Sequence, residues 1–578
     1  MQNNFIAPKI IQQNMLLAML LTTLCFVVNY LVFGFYSVDY EGFYHAFYSG
    51  NMTPGMPFRS IYFLANIGIS HIYSYLYEWA PKVEWLSWIY YTYLYSTNFL
   101  GLFLIAFFLP SATGTWLKSA IMVFVFFVVF ADHNIHLIYT RVAYLICGLS
   151  TIGLVTLFPN LNKIRQHKIL FGSLNLFLTI GILTRVESAA AIIALVVVWG
   201  MWYLQDVKQF LRIFLYPILL TAIILISIAI QIKTGTDFYL QVEPDIELQF
   251  CERKNIQPLA VMKTHRDSVL YITATNIMWS DPKILSAAYL RSLVKPEAFI
   301  YSDMGQWKRA FSDMRVIFGR YKSSLFLWLT LAITLYVVSP FKTKKYRLLY
   351  FLAFEGSFWI MNAMQTYTAK INDRSFAPYI SIFIFLHLIL LLGSLKKNES
   401  KRGHLLLILF VIFFGVRITE LFYEAQLLKL DLIRYQSNFE KIKKIAANRI
   451  LVINSSSSDY LFLSYVPFQP FDFSFFKKVY LTDGYIIPFL PYYKSYLEKE
   501  CNCNIYEFPS FWNYLKSIPT DIIVISSPQR IQIIKAYLKE IYQVDLSLTE
   551  DVHTPLLSER KSDDRDNMEE MKVYVFKK

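Results

Sequence analysis

Two carboxylates one residue apart, Asp39 and Glu41, stand in the run Ser37-Val38-Asp39-Tyr40-Glu41-Gly42-Phe43-Tyr44. A D-x-E pair can supply a general base, a ligand for a divalent cation, or both, and it can also be two solvated loop acids. Further along come Asp132-His133-Asn134, Thr184-Arg185-Val186-Glu187 and Lys370-Ile371-Asn372-Asp373-Arg374. Arg185 with Glu187, and Asp373 with Arg374, have the spacing of ion pairs that close a turn. A planar guanidinium is equally the natural partner of a phosphate group. Arg141 lies inside an apolar stretch, where an isolated cation is costly, so it must serve either a ligand or an acid. His133 offers a ligand, an acid or simply a polar loop side chain.

No glycine-rich phosphate loop, nucleophile elbow or zinc-type spacing accompanies these groups. Cys25 and Cys147 lie in apolar runs. Cys501 and Cys503 form a C-x-C that is read as free or locally oxidised thiols, with Cys251 or a metal as the other partner open to it.

The elements that must hold these residues are set by composition. Of 578 residues, 56% are hydrophobic and 17% charged, and the mean hydropathy is +0.40. Soluble domains run about 45–50% apolar and about 25% charged, which excludes a soluble multidomain enzyme. Aromatic residues make up 17%, as suits many membrane interfaces. A net charge of +14 does not indicate nucleic acid here, because the clustered Lys and Arg lie between apolar runs.

Apolar runs of about 20 residues predict spans near 14–36, 86–109, 117–131, 135–157, 169–184, 187–204, 211–232, 324–340, 347–366, 375–394 and 403–424. The first is read as an uncleaved span. Residues 59–78 carry Arg59, Asn66, His71 and Glu78 between apolar Ile61, Leu64, Ala65, Ile69, Ile72 and Leu76, the pattern of an amphipathic helix lying in the interface. Counting it as a span would move the basic clusters Lys163/Arg165/Lys168, Lys342/Lys344/Lys345/Arg347 and Lys396/Lys397/Lys401/Arg402 to the outer face. The positive-inside rule therefore favours about eleven spans with the N-terminus cytoplasmic.

This topology divides the chain into a transmembrane region, 1–424, and an outer region, 425–578. The first includes an outer loop 37–85 with its interfacial helix and an outer loop 233–323. The second reads as α/β, with strands at 449–454, 521–526 and 572–576 alternating with helices such as 529–541 and an exposed loop at 556–571. The fold class expected is thus a multi-pass α-helical membrane protein with a C-terminal extracytoplasmic α/β domain. No internal repeat is visible. A transporter should carry ionisable residues along a path at mid-membrane depth, whereas here they gather at the outer ends of the spans, with Arg141 about two turns inside.

With these residues placed, the chain resembles the GT-C superfamily of integral membrane glycosyltransferases. The resemblance rests on the span plan, the D-x-E and interfacial helix of the first outer loop, the outer C-terminal region, the T-R-V-E at 184–187 and the D-R-x-x-x-P from Asp373 to Pro378. It covers residues 1 to about 424. It implies transfer of a sugar from a polyprenyl-phosphate-linked donor to a hydroxyl of a glycan, lipid or protein acceptor at the outer face of a bacterial inner membrane. Asp39 or Glu41 would be the base, and Arg141, Arg185 and Arg374 would hold the donor phosphate. Asp132, His133, Glu187 and Asp373 would be accessory. The resemblance allows a divalent cation, Mg or Mn, on Asp39, Glu41 and Asp132, and implies no nucleic acid. An O-antigen polymerase or ligase is the nearest alternative, although its plan lacks the early D-x-E and a separate outer α/β region. A transporter or flippase for a lipid-linked intermediate is the other.

Overall fold

The computed structural model describes residues 8–37, 67–110, 113–158, 166–204, 263–275, 304–338, 344–368, 373–395, 403–446, 449–453, 464–469, 479–481, 508–518, 521–553 and 571–576, with a few short pieces between them. Asp39, Glu41, Cys251, Cys501 and Cys503 lie outside the described residues, as do the side chains of Glu187, Asp373 and Arg374.

Each described apolar run carries a helix over most of its length, the exceptions being residues 34–36, 109 and 136–138. The helices are α1 (Pro8–Phe33), α2 (Ile67–Trp79), α3 (Trp85–Phe108), α4 (Thr115–Ile135), α5 (Tyr139–Leu157), α6 (Lys168–Thr184) and α7 (Val186–Leu204). After them come α8 (His265–Thr275), α9 (Met304–Arg320), α10 (Lys322–Val338), α11 (Lys344–Thr368), α12 (Asp373–Leu395) and α13 (Gly403–Ile445). Most of the run at 211–232 lies outside the described residues.

Among the described residues, 5 helices are long and apolar enough to cross a membrane: Ile10–Phe33, Trp85–Phe108, Thr115–Ile135, Tyr139–Leu157 and Ser375–Leu392. The molecule is therefore a helical membrane protein. Other runs fall short for visible reasons: α6 and α10 have 17 residues each, and α11 is interrupted by Glu355, Ser357 and Asn362.

Helix α5 is the centre of the bundle, with 94% of its apolar window buried. It lies close against α6 because Gly181 has no side chain, since a Cβ there would come within 2.4 Å of Cys147 Sγ. Such close packing needs a small residue on one face. Of the helix expected over 59–78, residues 59–66 lie outside the described residues; α2 is amphipathic, with Tyr73 and Tyr77 facing the protein and Ile72, Tyr75 and Trp79 outward. Aromatic rings turned outward suit an interface that is apolar at one depth and wet at another.

Helix α13 runs unbroken for 43 residues, across the expected division at 424, and delivers the chain to a C-terminal sheet. The strands are β3 (Ile450–Ile453), β4 (Val479–Leu481), β5 (Ile522–Ser526), β6 (Leu548–Glu550) and β9 (Lys572–Phe576), in the order β4-β3-β5-β9-β6. β3 pairs parallel with β4 and β5, and β9 pairs antiparallel with β5 and β6. A two-residue ladder, β7 (Glu559–Arg560) with β8 (Met568–Glu569), falls within the stretch expected as an exposed loop. Helices α14 (Phe508–Ser517) and α15 (Pro528–Tyr542) accompany the sheet, the latter capped by Ser527, whose hydroxyl accepts from the Arg530 amide. Every residue of β5 is buried, so its continuous apolar run reads as a core strand.

The segment 464–469 meets the bundle. Tyr465 donates to Glu84 Oε2 at 3.0 Å and bonds the Ser87 hydroxyl. The ring of Phe468, a residue held at φ 66°, packs on Trp88 and Tyr91 with centroids 4.8 and 4.9 Å away.

Candidate functional site

The site begins where α1 ends. Gly34 adopts φ +81°, and its amide bonds Tyr30 O at 3.0 Å. A side chain there would strain the backbone and meet the Tyr36 hydroxyl at 2.8 Å. The turn sends Phe35 onto Tyr91 in a stacked pair at 4.3 Å. It also sends β1 (Tyr36–Ser37) alongside β2 (His136–Leu137) as a parallel ladder, Tyr36 opposite His136 and Ser37 opposite Leu137. Asp39 and Glu41 follow this anchored strand directly in sequence.

β2 follows α4, whose last turns widen into a π-helical segment, Phe126–Phe130, before Ala131–Ile135. Such widened turns re-aim the side chains after them and recur at functional sites. Asp132 is 5% exposed and sits within a ring of donors. Its Oδ2 accepts from Arg141 Nη1 at 2.9 Å, and its Oδ1 is 2.9 Å from His136 Nδ1. His136 Nδ1 is also 3.0 Å from the Asp132 main-chain oxygen, which can only accept, so that nitrogen carries a proton. Arg417 Nη2 lies 3.7 Å from Asp132 Oδ2, while its Nη1 donates to Glu420 Oε2 at 3.0 Å. Ser323, at the start of α10, donates to the same Glu420 oxygen at 2.5 Å.

Within this cluster, the buried Glu424 Oε2 and Arg417 Nε have no hydrogen-bond partner among the described residues. Arg417, Glu420 and Glu424 are at i, i+3 and i+7 of α13 and so share one face. Around the cluster, His133 Nε2 is 2.9 Å from the Ser381 hydroxyl, and Asn98 donates to Asn134 Oδ1 at 2.9 Å. Arg185 Nη1 donates to the Tyr139 hydroxyl at 2.6 Å and to Thr140 Oγ1 at 2.9 Å, with its guanidinium 5.3 Å from the Tyr139 ring centroid.

The expected residues are thus brought together in part. Asp132, Arg141 and Arg185 gather at one end of the bundle, and His133, next to Asp132 in the chain, turns its Nε2 to Ser381. Arg185 is held by Tyr139 and Thr140. Arg141 lies in the first turn of α5 rather than two turns inside a span, because β2 interrupts the apolar run at 136–137. A cation at a helix N-terminus opposes the dipole, which makes its pairing with Asp132 the more necessary.

Sequence reasoning missed His136, Arg417, Glu420 and Glu424. The last three sat unremarked in or at the end of a predicted span, although the argument applied to Arg141 applies equally to them. It missed a second cluster as well. Glu355, near the middle of α11, accepts from His387 Nε2 at 2.7 Å and from Trp328 Nε1 at 2.9 Å. His387 Nδ1 lies 2.8 Å from Phe383 O. The expectation that ionisable residues gather only at the outer ends is corrected by this pair.

A divalent cation is a fair test of the first cluster. Asp132, His136 and Glu424 bring one ligand atom each within 4.8 Å of one another. With Nδ1 a donor to Asp132, only Nε2 of His136 is left to offer, beside the two carboxylates. The partnerless Glu424 Oε2 is an acceptor that calls for a positive neighbour, and one or two carboxylates completed by water is how magnesium is held. Asp132 and Glu424 therefore fit such an ion. No family model, curated protein or solved structure matches the chain.

Proposed function

We propose that this protein transfers a sugar from a polyprenyl-phosphate donor to an acceptor hydroxyl, at the face of the membrane where the Asp132 cluster lies. The observation that carries the reading is the β1–β2 ladder, which ties the chain just ahead of Asp39 and Glu41 to His136, beside two buried arginines. Displacement at an anomeric carbon requires a carboxylate base and cations for the leaving phosphate, and Asp39 and Glu41 follow in sequence the strand that ends beside these arginines.

In the proposed step, the acceptor oxygen attacks the anomeric carbon and the bond from that carbon to the phosphate oxygen breaks. The phosphate leaves with the electron pair, and the acceptor proton passes to Asp39 or Glu41. Arg417 and Arg141, oriented by Asp132, and Arg185, oriented by Tyr139 and Thr140, stabilise the charge gathering on the departing phosphate. Arg417 joins the expected cations, of which the Arg374 side chain lies outside the described residues. A divalent cation on Asp132 and Glu424 would offset further phosphate charge.

Transport of a lipid-linked intermediate gains one observation, the Glu355–His387 pair at mid-helix. Every polar atom of that pair has a partner, and the rings of Phe354 and Phe383 pack on His387 at 5.1 and 4.7 Å. A sealed, saturated pair supports a helix lock better than a proton path.

The test is a membrane assay of the full-length protein with a panel of polyprenyl-monophosphate hexoses and pentoses and endogenous acceptors. Arg417→Gln should lower transfer by about 10²–10³-fold, and the combined Asp39→Asn/Glu41→Gln variant by about 10²-fold or more. Full transfer in both variants would sink the reading. Products extended by whole repeat units rather than one sugar would favour the polymerase alternative.

A further inference from the structure

Helix α9 meets α10 at a right angle: the segments Ala310–Arg320 and Lys322–Tyr336 are bent by 90° at Tyr321. Helix α10 packs along α12, whose apolar stretch is of spanning length. A helix perpendicular to such a bundle runs along the bilayer plane, not through it. Ser323, just past the bend, bonds Glu420, so α9 lies at the same end of the bundle as the arginine cluster.

The described side chains of α9 include a buried face and an exposed stripe. Ala310, Met314 and Ile317, at i, i+4 and i+7, are buried against the protein. The Phe318 ring seats the helix on Trp359 of α11 and Phe376 of α12, at 5.4 and 5.5 Å. On another face, Met304, Lys308, Phe311 and Arg315 follow at steps of four, three and four, so they form one stripe. Met304 is 70% and Phe311 60% exposed, and Lys308 and Arg315 are exposed too. Large apolar and basic side chains alternating on one stripe fit neither water nor hydrocarbon alone. They fit the boundary between them, where acyl chains meet phosphates.

We propose that α9 is an in-plane helix seated in the headgroup layer, with Met304 and Phe311 entering the acyl boundary and Lys308 and Arg315 engaging the phosphates of anionic glycerophospholipids. Charge selects the anionic lipid over the zwitterionic one, because each basic residue near an anionic surface adds its own attraction. Inorganic phosphate would satisfy the cations but leave the apolar members of the stripe in water.

The full-length protein is reconstituted in nanodiscs of equimolar phosphatidylcholine and phosphatidylglycerol. A bimane label on Phe311→Cys should be quenched by lipids carrying a nitroxide near the headgroup. The same label on Val552→Cys, in the C-terminal region and 78% exposed, should not, with unsubstituted protein as the labelling blank. In mass spectra of the released protein, Lys308→Gln and Arg315→Gln should each lower retained phosphatidylglycerol relative to phosphatidylcholine, by about fivefold per charge. Quenching of the Phe311→Cys label by aqueous iodide instead of nitroxide lipid would overturn the proposal. So would strongest quenching from the chain-end nitroxide, which would mean a re-entrant segment, or lipid retention unchanged by both substitutions.

Discussion

Two clusters of buried ionisable side chains lie within one helical bundle, and they are built to different standards. Around Glu355, both carboxylate oxygens and both ring nitrogens of His387 have partners, and aromatic rings close over them. Around Asp132, two arginines share one carboxylate, yet Arg417 Nε and Glu424 Oε2 are left without partners among the described residues. Leaving a buried polar atom unpaired costs about 1–3 kcal/mol. A saturated cluster is explained by the fold it holds together, whereas an unsaturated one points to something outside the fold that completes it. For that reason the Asp132 cluster is the candidate site and the Glu355 cluster a lock between α10, α11 and α12.

The largest test of this contrast is Asp132→Ala, which strips the shared acid from two buried guanidiniums. It should destabilise the protein by about 3–5 kcal/mol in detergent unfolding; a variant as stable as the parent would mean that the arginines find other acids. Glu355→Ala should cost about 3 kcal/mol by orphaning His387 and Trp328. The double variant Glu355→Leu/His387→Leu should recover most of that loss, because a closed pair can be exchanged for apolar packing, and it should keep sugar transfer. Loss of transfer with stability intact would give the Glu355 pair a part in function and end the contrast.

Smaller effects are expected at the strand that joins the first outer loop to the site. Gly34→Ala, at φ +81°, should cost about 1–2 kcal/mol. It should lower transfer by more than its stability loss explains, since β1 is displaced from β2. Tyr465→Phe removes the bonds to Glu84 and Ser87 and should cost about 1 kcal/mol. Faster proteolysis within 464–469, with α10 to α12 unchanged, would be its signature; an unchanged pattern would mean that ring packing alone holds the segment.

Much of the architecture was legible in the sequence. Helices cover most of each described apolar run, and β3, β5, β9 and α15 fall within a residue or so of their expected ranges. Those signals are local: hydropathy over a window marks a helix in lipid, and short β-branched runs between turns mark strands. The break at His136–Leu137 was not legible, because it lies in a continuous apolar run and depends on pairing with Tyr36–Ser37 from far earlier in the chain. Glu355, His387, Arg417, Glu420 and Glu424 were visible as letters but were absorbed into apolar averages. Each is a single polar residue whose meaning depends on what it faces.

By itself, the sequence determined that this is a helical membrane protein with an α/β C-terminal region, and that Arg141 had to find an acid or a ligand. Hydrophobic transfer decides the first and the cost of a buried charge decides the second, and neither needs a partner to be named. Only the tertiary structure decided that the acid is Asp132, that Arg417 shares it, and that Glu355 belongs with His387 and Trp328. Those pairings depend on how each helix is rotated about its axis. Rotation is set by packing between segments distant in the chain, such as Gly181 against Cys147, and not by any local pattern.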